Sequence, residues 1–404
     1  MASLNGMAVC ENCGEVIHGL CANCPQCKAV INDEDIVIRY YFSRGFMYRS
    51  IVSLLLKRHG IQMCERTLRN RLNSSGLRRR ESRFDLTQVR QRIGQELNGP
   101  GCMGGYRSVW HTLRMEGIQV PRNVVANIVR ELDPEGCELR KRKRLRRRQY
   151  YAPGPNYVWH LDGYDKLKPY GFPIHGCIDG WSRKIMWLHV AKSNNNPEIP
   201  AIFYLKCVEE HNGCPLKVRT DCGTENGIIS AMQCCFHDSA EAHVYGRSPA
   251  NQRIEGWWSF YRRNRSTWWM NYFKDLIERE LFTPGNQLQE QALWFCFSGV
   301  IQSDLDIIKD HWNTHRIRSS GFNTVSGIPD ELFFLPENHG GQDGLIRHVG
   351  EQELEYMADN LLTYEDEQND YQAYFEYIIS HTDLQIPKDW QDAENLYMEL
   401  LAVA

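Results

Sequence analysis

Three acidic residues in the stretch from Trp159 to Glu255 constrain this chain more than any other feature. Asp162 lies in Trp159-His160-Leu161-Asp162-Gly163, which opens an apolar, aromatic, strand-like region. Asp221 follows Val218-Arg219-Thr220 and precedes Cys222-Gly223-Thr224-Glu225-Asn226, so it reads as a strand end running into a glycine turn. Glu255 lies in Ser248-Pro249-Ala250-Asn251-Gln252-Arg253-Ile254-Glu255-Gly256-Trp257, where Ser248 as N-cap and Pro249 at the first helical position predict a helix. With 50 acidic residues in 404, any three carboxylates can be picked out, and each alone is ordinarily a solvated charge. Their ordered local contexts are what single out these three.

Acids on a strand, a strand end and a helix, distant in sequence, converge only through folding. Converged, they repel one another unless cations lie between them. Hard oxygen ligands suit Mg²⁺ or Mn²⁺, which keep waters and bind substrate phosphates. Two such ions about 3.5–4 Å apart activate a water or a 3′-hydroxyl and stabilise the leaving oxygen of a phosphodiester.

From about residue 155 to 335 the chain resembles the DDE integrases and transposases, whose catalytic core has an RNase H-like α/β fold. Besides the three acids, the resemblance rests on Gly176-Cys177-Ile178-Asp179-Gly180-Trp181-Ser182-Arg183-Lys184-Ile185, on Asp221-Cys222-Gly223-Thr224-Glu225-Asn226, on Trp312-Asn313-Thr314-His315-Arg316 and on Gly327-Ile328-Pro329-Asp330-Glu331-Leu332-Phe333. It implies that Asp162, Asp221 and Glu255 are catalytic and carry two Mg²⁺ or Mn²⁺ ions. One departure is that 33 residues separate Asp221 from Glu255, slightly fewer than in retroviral members, as a short loop deletion would give. Asp165 stays open as a further metal contact, whereas Asp179, in a strand-pair turn before Ser182-Arg183, reads as structural.

Ahead of this core the chain predicts several small modules. Cys10-x2-Cys13 and Cys24-x2-Cys27 form two pairs suited to one tetrahedral structural Zn²⁺, with His18 and Cys21 as alternative ligands. Retroviral integrases carry a His-His-Cys-Cys module instead, which this pattern does not match. Residues 31–82 read as a helix-turn-helix, with Arg66, Arg69, Asn70 and Asn73 on its last helix as candidate DNA contacts. Residues 83–138 read as a second such unit, in which Arg122 opens the final helix; the bland alternative is a helical bundle with a solvated basic face. Tandem units of this kind precede the core in many transposases. Residues 139–155 are a basic linker in which Arg140, Lys141, Arg142, Lys143, Arg144 and three further arginines occupy eight of nine positions, a nuclear-import or phosphate-binding run. Pro153-Gly154-Pro155 marks the domain boundary that follows.

Within residues 156–335, Tyr157–Asp162 and Gly176–Val190 read as strands, Pro200–Glu210 as a helix, and Gln287–His315 as a long helix packed on the sheet. On the Glu255 helix, Trp258, Ser259 and Arg262 share the acid's face. Arg262 is a candidate to grip DNA leading to the site. The clustered Trp257, Trp258, Trp268 and Trp269 read as core. Residues 336–404 form an acidic tail where an integrase would carry a small basic barrel. Residues 351–404 hold 14 acidic side chains against Lys388 alone, a net −13, so with −3 overall the rest of the chain carries +10. A basic body predicts a polyanion partner, here double-stranded DNA.

No apolar run approaches the length of a membrane span, the first residues lack a signal pattern, and 15 scattered cysteines do not make a secreted disulfide framework. These point to an intracellular, reducing compartment; with the basic run at 140–148 the expectation is a nuclear protein, and a homo-oligomer is expected as well. The leading expectation is therefore an integrase-like polynucleotidyl transferase that cleaves DNA and transfers strands. One alternative is a domesticated nuclear DNA-binding protein with an inert core. Another is an RNase H-like nuclease acting on RNA–DNA hybrids.

Overall fold

The computed structural model describes residues 8–9, 16–17, 34–79, 84–101, 104–139, 151–246, 251–319, 325–361 and 370–403. Contacts divide them into two compact units. The first takes residues from 1–151, 263–265 and 310–343, the second from 152–262, 266–309 and 344–404. The four cysteines of the expected zinc module and the basic run from Arg140 to Arg148 lie outside the described residues.

In the first unit, strands β1 (Ala8–Val9) and β2 (Val16–Ile17) pair antiparallel. Helices α1 (Glu34–Ser43), α2 (Tyr48–His59) and α3 (Glu65–Ser74) follow. Their apolar residues recur at helical spacing, so Ile38, Tyr41, Phe42, Ile51, Leu54, Leu55, Leu68 and Leu72 meet in one core. Each such buried side chain contributes about 1.5–3 kcal/mol over its exposed state. Gly60, at φ 65°, ends α2 in the left-handed conformation that glycine adopts without strain. A second trio is α4 (Leu86–Asn98), α5 (Tyr106–Met115) and α6 (Arg122–Leu132), with α7 (Pro134–Leu139) after it. Asp85 caps α4 by accepting the Thr87 N–H at 2.8 Å, and Val89, Ile93, Val109, Leu113, Val125, Ile128 and Val129 fill the trio's interior. The helix Pro329–Phe334 adds Ile328 and Leu335 to the first core, and its Glu331 accepts from Ser50 Oγ at 2.8 Å.

The second unit is built on a five-stranded sheet. Its strands are β3 (Val158–Tyr164), β4 (Ile174–Asp179), β5 (Ile185–Val190), β7 (Lys217–Thr220) and β8 (His243–Tyr245), in the order β5-β4-β3-β7-β8. The first three form an antiparallel meander, and β7 and β8 join parallel. A separate pair joins β6 (Gly213–Pro215) to β9 (Ile346–His348). Parallel neighbours require crossovers, supplied by α8 (Glu198–Glu210) before β7 and α9 (Gly227–His237) before β8. Then come α10 (Gln252–Tyr261), a π-helical turn over Arg262–Ser266, and α11 (Thr267–Glu278). The long α12 (Gln287–Thr314) has its residues through 309 in this unit. This mixed sheet with its crossover helices fits an RNase H-like integrase core.

The stretch read as strand from Gly176 to Val190 is two strands with a turn between them. Asp179 makes that turn, accepting N–H groups of Asn156 (2.8 Å), Trp181 (3.1 Å) and Ser182 (2.7 Å) and the Ser182 hydroxyl (2.7 Å). Part of the acidic tail is structured: helices Asp370–His381 and Trp390–Val403 belong to the second unit. Trp390 packs on Trp268 and Tyr272, Phe375 on Phe295, and Glu394 accepts from Tyr272 (2.8 Å) and Arg279 (2.9 Å). Among the described residues no helix is long and apolar enough to cross a membrane.

Candidate active site

Asp162 lies on the central strand β3, directly opposite Gly176 on β4. Gly176 is what lets a tryptophan lie over the sheet here. A methyl group at that position would come within 2.9 Å of the Trp258 ring and 2.8 Å of Leu188. Trp258, on α10, donates its indole N–H to Asp162 Oδ2 at 3.0 Å. Its ring packs against Tyr164 and Trp257, so the donor is fixed by packing.

Glu255 stands in the first turn of α10, which begins at Gln252 rather than at Pro249. Asn251, at φ −86° and ψ 42°, is not yet helical and is the N-cap; Ser248 and Pro249 lie outside the described residues. Asn251 does not cap its own helix with its side chain. Instead its Nδ2 donates to the Leu161 carbonyl at 2.8 Å, and its Oδ1 lies 2.7 Å from His160 Nδ1. With Nδ2 committed as donor, Oδ1 is the acceptor, which assigns the proton to His160 Nδ1. Both side chains are 1% exposed. Burial brings the His160 pKa down to about 3, so the ring is neutral. This clamp joins the start of the Glu255 helix to the two residues before Asp162.

Asp221 follows the last residue of β7, beside the parallel partner of β3. Its Oδ1 accepts from the Gly223 N–H at 3.1 Å and from Asn226 Nδ2 at 3.0 Å. Asn226 is 2% exposed, so the Asp221 loop is held from inside.

The electrostatics tie the three acids together. The Asp162 carboxyl is pushed up to about 8, first by burial, then by the charges of Glu255 and of Asp221, against the Trp258 and Gly163 donors. A like charge acts this way only at short range. Among the described residues, however, no three His, Cys, Asp or Glu side chains converge tightly enough to hold one ion. The acids share a field without sharing one coordination point.

Residues 149–334 match the integrase core domain family. They are an integrase core of the DDE integrase/transposase superfamily. No curated protein matches the chain.

Asp165 is engaged by Asn194 (3.0 Å) and Lys168 (3.4 Å) at the surface. Arg262 is exposed at the start of the π-helical turn, where the α-helical repeat that put it on the Glu255 face ends. Trp257, Trp258 and Trp269 are buried. In the first unit, Arg66, Arg69, Asn70 and Asn73 are exposed along α3, Arg69 pairing with Glu65 at 3.1 Å. Arg122 is exposed at the first residue of α6, its guanidinium 4.1 Å above the Trp110 ring. Arg140, Lys141, Arg142, Lys143 and Arg144 lie outside the described residues, as do Cys10, Cys13, Cys24 and Cys27.

Reading the sequence alone missed Asn251, His160, Gly176 and Trp258 as parts of the site. Only Trp258 carried a signal, because three residues after Glu255 it had to share the acid's helical face.

Proposed function

We propose that the chain is a metal-dependent DNA polynucleotidyl transferase, cutting DNA and transferring strands through Asp162, Asp221 and Glu255. The observation that carries this is the electrostatic coupling of Asp162 to both other acids inside an integrase core domain. The donor set is all oxygen, and a carboxyl forced up by burial and then by two like charges is a site that gains from cations. It therefore fits Mg²⁺ or Mn²⁺. When bound, two such ions lower the pKa of a water or 3′-hydroxyl and neutralise the leaving oxygen of a phosphodiester.

The chain's own residues prepare the acids for that role. Trp258 fixes one oxygen of Asp162 and shields that side of the carboxylate. Asn251 sets where the Glu255 helix begins relative to β3. His160, kept neutral by burial, orients Asn251 without adding a competing positive charge. The Gly223 N–H and Asn226 hold one Asp221 oxygen and so define the direction of the other. Such rigid support keeps ligands within the narrow tolerance that two-ion chemistry demands.

The two helical trios serve as DNA-binding units, with Arg66, Arg69 and Arg122 at the duplex, Arg262 gripping DNA on the core, and the basic run from Arg140 contacting phosphates. A structural Zn²⁺ on Cys10, Cys13, Cys24 and Cys27, nuclear residence and homo-oligomerisation complete the proposal. The test is cleavage and joining of labelled element-end DNA with Mg²⁺ or Mn²⁺. Nicked and joined products that vanish with EDTA are expected. DNA binding with no product under either metal would favour an inert core, and cutting confined to RNA–DNA hybrids would favour a nuclease.

A further inference from the structure

Several arginines of the first unit face a carboxylate. Arg44 meets Asp310 at 2.5 Å, and Arg92 meets Glu116 at 2.5 Å and Glu96 at 3.1 Å. Arg79, Arg114 and Arg122 do not. Arg79 donates to the Phe46 carbonyl and lies over Phe42 (4.6 Å) and Tyr48 (4.8 Å). Arg114 lies against Gly45, where a methyl group would come within 2.7 Å of its Nη1, and 5.3 Å from the Trp110 ring centroid. Arg122 lies over the same Trp110 ring at 4.1 Å. Among the described residues no carboxylate is within ion-pair distance of any of the three.

We propose that Arg79, Arg114 and Arg122 form an anion site, spanning the two helical trios, that takes backbone phosphates of double-stranded DNA. The Gly45-Phe46 turn gathers Arg79 and Arg114, and the Trp110 ring gathers Arg114 and Arg122, so packing holds the guanidinium groups together against their repulsion. Gly45, at φ 87°, is the residue this turn requires, and the Arg114 guanidinium lies against it. The repulsion is real: burial, then Arg79 and Arg122, bring the Arg114 pKa down to about 10. Three cations positioned by aromatic faces and backbone, and not neutralised, suit an oxyanion presenting several acceptors. The span from the first trio to the second suits a polyanion with phosphates in series over a single small anion. Neither Arg79 nor Arg114 belongs to an exposed helix face that sequence reading would assign to DNA.

The inference rests on the DNA-partner part of the proposed function. It is tested in EDTA, where no strand chemistry runs, so its failure and that of the catalytic reading are distinct. Binding of the full chain to a labelled duplex is followed by anisotropy across a salt series for wild type, Arg114→Gln, Arg122→Gln and Arg90→Gln. Arg90 is an exposed control already paired with Glu131 at 2.8 Å. Taking one phosphate away from the bound footprint lowers the log–log salt slope by about 0.9 and weakens binding roughly fivefold at 0.15 M salt. Arg114→Gln and Arg122→Gln are expected to do both, and Arg90→Gln neither. Thermal melts identify a misfolded variant, and exposed Arg122 keeps the test decisive if the Arg114 change unfolds the protein. In the same melts, inorganic phosphate is expected to raise the wild-type midpoint more than that of Arg122→Gln at matched ionic strength. Slopes for Arg122→Gln equal to those for Arg90→Gln, or tighter binding to duplex RNA of the same sequence, would overturn the assignment.

Discussion

Asp162 has its carboxyl pushed up to about 8 by burial and by Glu255 and Asp221, well above the 3.8 of a free side chain. The folded chain therefore holds a proton that the unfolded chain releases once the pH passes about 4. The stability this group contributes is full below the unfolded pKa and is lost as the pH rises through about 8. In EDTA, Asp162→Asn is expected to melt a few degrees higher than wild type at pH 8.5 and close to wild type at pH 5. A variant that melts below wild type at pH 8.5 would mean that burial and the neighbouring charges do not hold Asp162 protonated. Asn251 makes the opposite kind of contribution. Asn251→Ala removes a donor to the Leu161 carbonyl and the acceptor beside His160 Nδ1 at a buried position, at about 1–3 kcal/mol for each group. Chemical denaturation is expected to show that loss, and single-turnover assays a fall in cleavage rate at unchanged DNA affinity. Wild-type turnover in a destabilised variant would limit Asn251 to folding.

At the scale of elements, α10 reaches the sheet because β4 carries a glycine at the position facing Asp162. Gly176→Ala puts a carbon 2.9 Å from Trp258 and 2.8 Å from Leu188, both ring or branched atoms in a packed layer. Such overpacking costs about 1–3 kcal/mol and moves the indole off Asp162. The expected result is a lower urea midpoint together with a lower cleavage rate, and an unchanged rate would show that the Trp258 contact is dispensable. Much of this element layer was legible in the sequence. The strand ending near Asp162, the Asp221 turn and the helices from Pro200 and Gln287 each follow from local periodicity or turn chemistry. What stayed hidden depends on pairing across distance. The three-residue β8 and the β6–β9 pair are too short to show alternation. Asn251 reads as one more polar residue near a helix start until the Leu161 carbonyl is seen to need a donor. Gly176 has an ordinary negative φ, so only the ring above it explains its size.

The whole molecule combines two helical trios, rich in exposed arginine, with an RNase H-like core whose sheet carries Asp162 and, at the end of β7, Asp221, and whose helix α10 carries Glu255. The net +10 of residues 1–350 was legible from composition, and it gives the body its bias toward polyanions. That the described end of the acidic tail folds onto α11 and α12 was not, because it rests on contacts such as Trp390 with Trp268. The central claim is that Asp162, Asp221 and Glu255 act as one catalytic unit. Groups that act as a unit lose nearly everything when any one is removed, and little more when a second follows. The most direct measurement is the Mn²⁺-dependent nicking rate of Asp162→Asn, Asp221→Asn, Glu255→Gln and the Asp162→Asn/Glu255→Gln double variant, each beside its DNA affinity in EDTA. The account predicts that every single variant loses about a thousandfold or more in rate, that the double variant loses no more, and that all four bind DNA as wild type does. A single variant that nicks at close to the wild-type rate would contradict it.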